Sequence, residues 1–271
     1  MLALPRVFDL DAYLERIGLS GRPEIADVHR AHITSIPFEN LDSQRGLPVS
    51  LDEDDLQRKL VAQRRGGYCF EQNLLLKGAL EALGADVEPM LARVRWGAPP
   101  GTVRSTGHLV LRVRDGGATW LADVGFGAGA PFEPLPFAVG EEREQAGWRF
   151  RLVEDGEELV LQCADADGWS DLYGFVPKAV PRVDIEVNNW FVCSHPRSPF
   201  VTGLLVSLRH EHDGSWVSLS DWSELALIER TPERTESTPV SREEIPALLE
   251  SRFSLPGFEL AADGRVVPAR P

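Results

Sequence analysis

Apolar residues recur along the first part of the chain at helical spacing. Leu10, Tyr13, Leu14 and Ile17 share one side of the segment from Asp9 to Gly18, and Ile25, Val28, His32 and Ile33 do the same between Pro23 and Ser35. Ser50-Leu51-Asp52-Glu53 has the form of a capping box and starts a third predicted helix running towards Gln63. A fourth is predicted from Cys69 to Leu83, with Phe70, Leu74, Ala79, Leu80 and Leu83 as its apolar positions and Gly84 just past its end.

From about residue 86 the pattern becomes that of strands. Candidates are Val87 to Trp96, His108 to Arg114 and Ala118 to Val124, the last two flanking the hairpin signal Asp115-Gly116-Gly117. A second hairpin joins Trp148–Val153 to Glu158–Cys163 through a turn near Asp155-Gly156, and this spacing suggests a small barrel or sandwich. Beyond about residue 183 the pattern mixes. Asp184 to Ser194 reads as a short helix or loop, Leu204 to Leu219 as a hairpin around Asp213-Gly214, and Ser241-Arg242-Glu243-Glu244 as the cap of a C-terminal helix with Pro246 near its start. The expectation is an α+β fold in three consecutive units: helical (1–85), β (86–183) and α/β (184–271).

Composition narrows the function classes. The 271 residues include 43% hydrophobic and 26% charged, as in ordinary globular proteins, with a formal net charge of -14. A nucleic acid or anionic membrane would need a basic face, so neither is an expected partner. The first residues lack a basic region followed by an apolar stretch, and no apolar run reaches the roughly 20 residues that span a bilayer. Three cysteines, Cys69, Cys163 and Cys193, are too few and odd in number for a disulfide framework. A cytoplasmic location with at least one free thiol is expected.

Of the three, Cys69 has a setting for chemistry. It follows Arg65-Gly66-Gly67-Tyr68 and opens a helix, where free N–H groups and the positive end of the helix dipole favour a thiolate over a thiol of pKa about 8.5. The same groups suit a developing oxyanion. Cys163, in a strand-like run, reads as core, and Cys193 is open. A thiol nucleophile needs a base and the base an orienter. His108 begins one strand of the predicted hairpin and Asp123 ends the next, so antiparallel pairing brings them together. His29 and His32 read as core or helix-surface residues, His210 and His212 as exposed, and His195 as a weaker base. Glu39 is a candidate partner for Arg65, fixing the turn before Cys69. In Gly125-Phe126-Gly127-Ala128-Gly129, small residues allow close backbone approach, and Phe126 suits an aromatic pocket; Phe38 is placed to pack into the cleft.

Together these segments resemble the arylamine N-acetyltransferases. The similarity rests on Arg-Gly-Gly-Tyr-Cys-Phe-Glu-Gln-Asn at 65–73, Gly-His-Leu-Val-Leu at 107–111 and Asp-Val-Gly-Phe-Gly at 123–127, in that order. Ile-Pro-Phe-Glu-Asn-Leu at 36–41 and the stretches Ser194–Pro196 and Phe200–Gly203 are also similar. The resemblance implies an N-terminal helical bundle, a central β-barrel and a C-terminal α/β lid, with a triad arranged as in cysteine proteases. It implies Cys69 as nucleophile, His108 as base and Asp123 as orienter. Phe38, Phe126 and Phe200 would wall the acceptor pocket, and Gly127 would lie where the acyl donor approaches. The implied reaction is ping-pong, from acetyl-coenzyme A through acetyl-cysteine to an aromatic amine or hydrazine, with no metal and no bound cofactor, in a monomer or homodimer. Gly107, Cys193 and Pro199 depart from the family pattern and leave donor-side contacts and acceptor preference open. Two alternatives share the triad: amide synthases of ansamycin-type polyketide assembly, which take acyl chains from carrier proteins, and cysteine hydrolases of the transglutaminase or papain type. A third, a binding protein without activity, is disfavoured by the complete triad.

Overall fold

The computed structural model describes residues 8–99, 101–127, 129–165 and 168–269. The first helix, α1 (Leu10–Arg16), is capped by Asp9, which accepts from the Ala12 N–H at 3.0 Å. Helix α2 (Ile25–Ser35) buries Val28, His29, His32 and Ile33. Short pieces follow: strand β1 (Phe38–Glu39), α3 (Leu41–Gln44) and α4 (Glu53–Leu56), which continues as a π-helical turn over Gln57–Ala62. The predicted capping box does not form. Ser50 Oγ accepts from the Asp52 N–H at 3.2 Å in the turn ahead of the helix, and Asp52 is the N-cap residue, so the serine sits two residues too early. Helix α5 (Cys69–Ala82) ends as expected, Gly84 taking φ of 100°. Leu14, Val28, Leu76 and Leu80 are among the side chains that join α1, α2 and α5 in one core.

The larger sheet contains β2 (Asp86–Val94), β3 (His108–Asp115), β4 (Ala118–Ala122), β5 (Leu135–Pro136), β6 (Arg143–Gln145), β7 (Trp148–Asp155), β8 (Glu158–Asp165) and β9 (Gly168–Phe175). Its order is β5-β4-β3-β2-β9-β8-β7-β6, with every pair antiparallel. Asp115 pairs with Ala118, leaving Gly116 and Gly117 as the turn, at φ of 56° and 83°. Positive φ at both centres is what a two-residue type I′ hairpin requires. Residues 137–142 join the edge strands β5 and β6. Phe137 N–H donates to Thr119 at one edge and Gly140 N–H to Leu152 at the other, drawing the sheet into a nearly closed barrel. Met90, Val110, Phe150, Leu161 and Tyr173 fill it.

Helices α6 (Arg182–Ser194) and α7 (Pro199–Thr202) precede the second sheet, which runs β1-β10-β11-β12-β13. Its later strands are β10 (Leu205–Arg209), β11 (Trp216–Ser220), β12 (Ala226–Arg230) and β13 (Thr235–Pro239). Phe38 and Glu39 pair with Ser207 and Val206, so two residues from the helical part of the chain form the edge of this sheet. Helix α8 (Ile245–Phe253) covers it with Ile245, Leu249 and Phe253. Glu244 accepts from the Ser241 N–H at 2.8 Å, and Pro246 falls in the first turn of α8, where its missing N–H has no partner to lose. Among the described residues, no helix is long and apolar enough to cross a membrane.

Candidate active site

The turn before α5 is shaped by buried charge. A Cβ on Gly66 would lie 2.1 Å from Pro37 O and 2.8 Å from Glu39 Cγ, and one on Gly67 would lie 2.7 Å from Glu71 Oε2. Neither glycine has positive φ. They are needed for close approach, not for conformation. Glu71 Oε2 accepts from the Tyr68 N–H at 3.1 Å, and Lys59 Nζ donates to Glu71 Oε1 at 2.8 Å while lying 2.8 Å from Asp42. Arg65 donates from Nε and Nη2 to Glu39 at 3.0 and 2.6 Å and reaches Asp42 at 3.2 Å, as the sequence led us to expect for Glu39 and Arg65. Burial pushes the Glu71 carboxyl up to about 7, although Lys59 pulls it down. Lys59 carries no mark in the sequence that distinguishes it from a surface helix residue.

Cys69 is the first residue of α5 and is 2% exposed, with Sγ 3.6 Å from Gly107 O. Burial pushes its thiol well above the ordinary range and the Asp123 charge adds to the rise; the N–H groups of Leu109 and Phe70 pull the other way. Ionisation of Cys69 needs a proton acceptor beside it.

His108 and Asp123 meet as the hairpin register dictates. His108 Nε2 and Asp123 Oδ2 are 2.8 Å apart, both buried. Asp123 Oδ1 accepts from Asn73 Nδ2 at 2.9 Å and from the Gly125 N–H at 2.8 Å. Burial alone would raise this carboxyl, but His108, Asn73 and the Gly125 N–H together hold it below the usual range. An ionised carboxylate only accepts, so Nε2 carries the hydrogen and Nδ1 is left free to take a proton. Asn73, on α5 with Cys69, also donates to Leu109 O at 2.7 Å and accepts from the Val124 N–H at 3.1 Å, tying the cysteine helix to β3 and to the loop after β4.

A cavity of about 360 Å3 reaches Cys69 and His108. Phe38, Trp96, Phe126, Phe200, Trp216 and Trp222 are among the residues that line it. Phe126 stands edge-on to the His108 ring at 5.2 Å, and Phe38 lies 6.0 Å from Phe200. Its size and apolar lining suit an aromatic small molecule. Gly127, at φ of 70°, backs onto Ser207 and Phe38 outside the lining. Of the other residues singled out, Cys163 and Cys193 are buried outside the lining of this cavity, and none of the three cysteines is in a disulfide. His195 stacks on Phe191 at 4.6 Å and His212 is exposed; His210 is half-buried instead of exposed, because it follows directly on β10 and packs against that sheet. His29 and His32 are fully buried. His32 bridges Tyr13 Oη at 2.8 Å to Gln72 Oε1 at 2.6 Å, and Gln72 donates to Pro37 O at 2.8 Å.

A barrel and a helix bundle meet at a buried cysteine, histidine and carboxylate beside an apolar cavity, an arrangement that can carry acyl transfer through a thiol. Residues 23–259 match the N-acetyltransferase family. The arylamine N-acetyltransferase of Mycolicibacterium smegmatis is 42% identical over 209 residues, 74% of this chain and 76% of that protein. The solved structure of the Mycobacterium marinum arylamine N-acetyltransferase in complex with CoA superposes with a TM-score of 0.86 at 37% identity, covering 91% of this chain and 93% of that one. A proansamycin X synthase of Amycolatopsis mediterranei is 34% identical over 179 residues, 62% of this chain and 68% of that protein. The chain belongs to the arylamine N-acetyltransferase family.

Proposed function

We propose that this enzyme transfers an acetyl group from acetyl-coenzyme A to an aromatic amine or hydrazine by way of acetyl-Cys69. The observation that carries the reading is the orientation of His108 by Asp123, at 2.8 Å, on the wall of the cavity that also exposes Cys69. His108 Nδ1 takes the Cys69 proton as the sulfur attacks the thioester carbonyl. The new C–S bond forms, the bond to coenzyme A breaks, and the departing thiolate takes the proton back from the imidazolium. The amine nitrogen then attacks acetyl-Cys69 and gives its proton to His108. Cys69 leaves as the thiolate and is reprotonated. Phe38, Phe126 and Phe200 hold the aryl ring, while Gly127, which lies outside the cavity lining, is given no part in it. CoA in the Mycobacterium marinum complex supports the same donor here. Three cysteines outside any disulfide support a reducing compartment, the cytoplasm.

The similarity to a proansamycin X synthase favours one second reading, amide formation with a carrier-bound acyl chain. Incubation with acetyl-coenzyme A alone, followed by intact mass and peptide mapping, separates the two. An acetyl adduct on Cys69 supports the acetyltransferase. No adduct from a protein whose Cys69 still alkylates readily points to a carrier-bound donor.

A further inference from the structure

Five charged side chains lie behind the turn that carries Cys69: Lys59 and Arg65 against Glu39, Asp42 and Glu71. Glu39 is fully buried and Glu71 1% exposed, while the Lys59 side chain is only 14% exposed. Glu71 does two things at once. Its carboxylate accepts from the Tyr68 N–H at the start of α5, where a negative charge is favoured, yet that charge lies close enough to Cys69 to oppose ionisation of the thiol. The groups facing Glu71 are Lys59 from the π-helical turn, Glu39 from β1, and Tyr68 and Cys69 from its own helix start. Asp42 and Arg65 form the next layer through Lys59 and Glu39. Lys59 is thus the one cation in hydrogen-bond contact with Glu71 among the described residues. It stands in a π-helical stretch, a rare backbone form that is frequent at functional sites.

We propose that Lys59 is a positioning residue for the Cys69 nucleophile: it neutralises Glu71, so that the carboxylate clamps the Tyr68–Cys69 turn without leaving an uncompensated negative charge two residues from Cys69 along α5. The inference rests on the reading of Cys69 as nucleophile. Removing Lys59 leaves two choices, both unfavourable. Glu71 stays ionised and pushes the thiol up, or it takes a proton and its hold on the Tyr68 N–H weakens.

The test is the rate of Cys69 alkylation by iodoacetamide, mapped by peptide mass from mildly acid to strongly alkaline pH, with thermal unfolding run alongside to confirm the fold. Lys59→Met should move the acid limb of the profile up by about one pH unit and slow the reaction at neutral pH about tenfold. Lys59→Arg should restore it to within about twofold of the wild type. The double variant Lys59→Met, Glu71→Gln should recover most of the loss, because it removes the uncompensated charge. A lysine that merely props up the turn would not be rescued in this way. A Lys59→Met profile equal to the wild type, or a double variant as slow as Lys59→Met, overturns the proposal. If Lys59→Met does not fold, Glu71→Gln alone decides. It should lower the limb, since Lys59 then faces no partner in Glu71, and an unmoved limb overturns the proposal. A wild-type Cys69 no more reactive than Cys163 sinks the nucleophile reading itself, which is a different result.

Discussion

His29 accepts a hydrogen bond from the backbone N–H of Asp123 through Nε2 at 3.1 Å, although 94 residues separate the two. Its other nitrogen, Nδ1, lies 2.9 Å from Phe132 O, and since a carbonyl only accepts, Nδ1 carries the hydrogen. One neutral imidazole thus pins both ends of the segment that carries the carboxylate and Phe126. Behind it, His32 does similar work for Gln72 and the Pro37 carbonyl.

His29→Leu leaves the Asp123 N–H and the Phe132 carbonyl buried without partners. Each orphan costs about 1–3 kcal/mol, so the midpoint of thermal unfolding should fall by several degrees, and kcat/KM for arylamine acetylation should fall with it. His29→Gln, whose amide both accepts and donates, should recover part of each loss. Equal stability of the leucine variant and the wild type would show that these two bonds contribute nothing.

The same histidines set the response to acid. Burial holds His29 down to about 4 and His32 down to about 3, against an ordinary value of about 6.5. Between those values the unfolded chain binds protons that the folded one refuses, so stability is complete above about pH 6.5 and is lost as pH falls towards 4. Each histidine steepens the loss by up to about 1.4 kcal/mol per pH unit. Urea unfolding measured from neutral to mildly acid pH should show this slope, and His32→Asn should flatten it.

Much of the site was legible from sequence because its parts depend on local signals. Two glycines before a helical run, a histidine at the start of one strand and an aspartate at the end of the next are fixed by turn geometry and pairing, and the structure joins the latter two. What stayed hidden depends on burial. Burial pushes the Cys69 thiol up, an effect that no spacing reveals. Lys59 looks like any helix lysine until the π-helical turn places it between Glu71 and Asp42. Strand β9, Gly-Trp-Ser-Asp-Leu-Tyr-Gly-Phe, was passed over because its outer half is polar and its inner half is buried on both faces, leaving no alternation to read. Strand β1 has two residues and exists only through β10.

Gly125 and Gly107 both line the cavity, yet they should respond oppositely to a side chain. A Cβ on Gly125 would lie 2.6 Å from Asn73 Nδ2 and 2.7 Å from Cys69 Cα, so Gly125→Ala must push the Asp123 segment off α5. Overpacking of this kind costs about 1–3 kcal/mol. Here it also separates the cysteine from its partners, so kcat/KM should drop at least about tenfold. A Cβ on Gly107 would meet Val192 at an ordinary 3.5 Å. Gly107→Ser should therefore fold with an unchanged thermal midpoint. Loss of folding in the serine variant and tolerance in the alanine variant would invert the account.

Asp123→Asn tests the triad most directly, because it preserves size and removes one property. The carboxylate accepts three hydrogen bonds, from His108, Asn73 and the Gly125 N–H. An amide in its place can keep its oxygen on the Asn73 and Gly125 side, but its NH2 then faces His108 Nε2. That favours the tautomer with the hydrogen on Nδ1, which is the nitrogen that must be bare to receive the Cys69 proton. In triads of this logic the loss is about 10^4-fold in kcat, with the fold intact. Acetylation rates for Asp123→Asn should therefore fall by about three to four orders of magnitude while acceptor KM changes little. The acetyl-Cys69 adduct should also form far more slowly when acetyl-coenzyme A is supplied alone. A variant within about tenfold of the wild type would mean that orientation of His108 by Asp123 is not what activates Cys69.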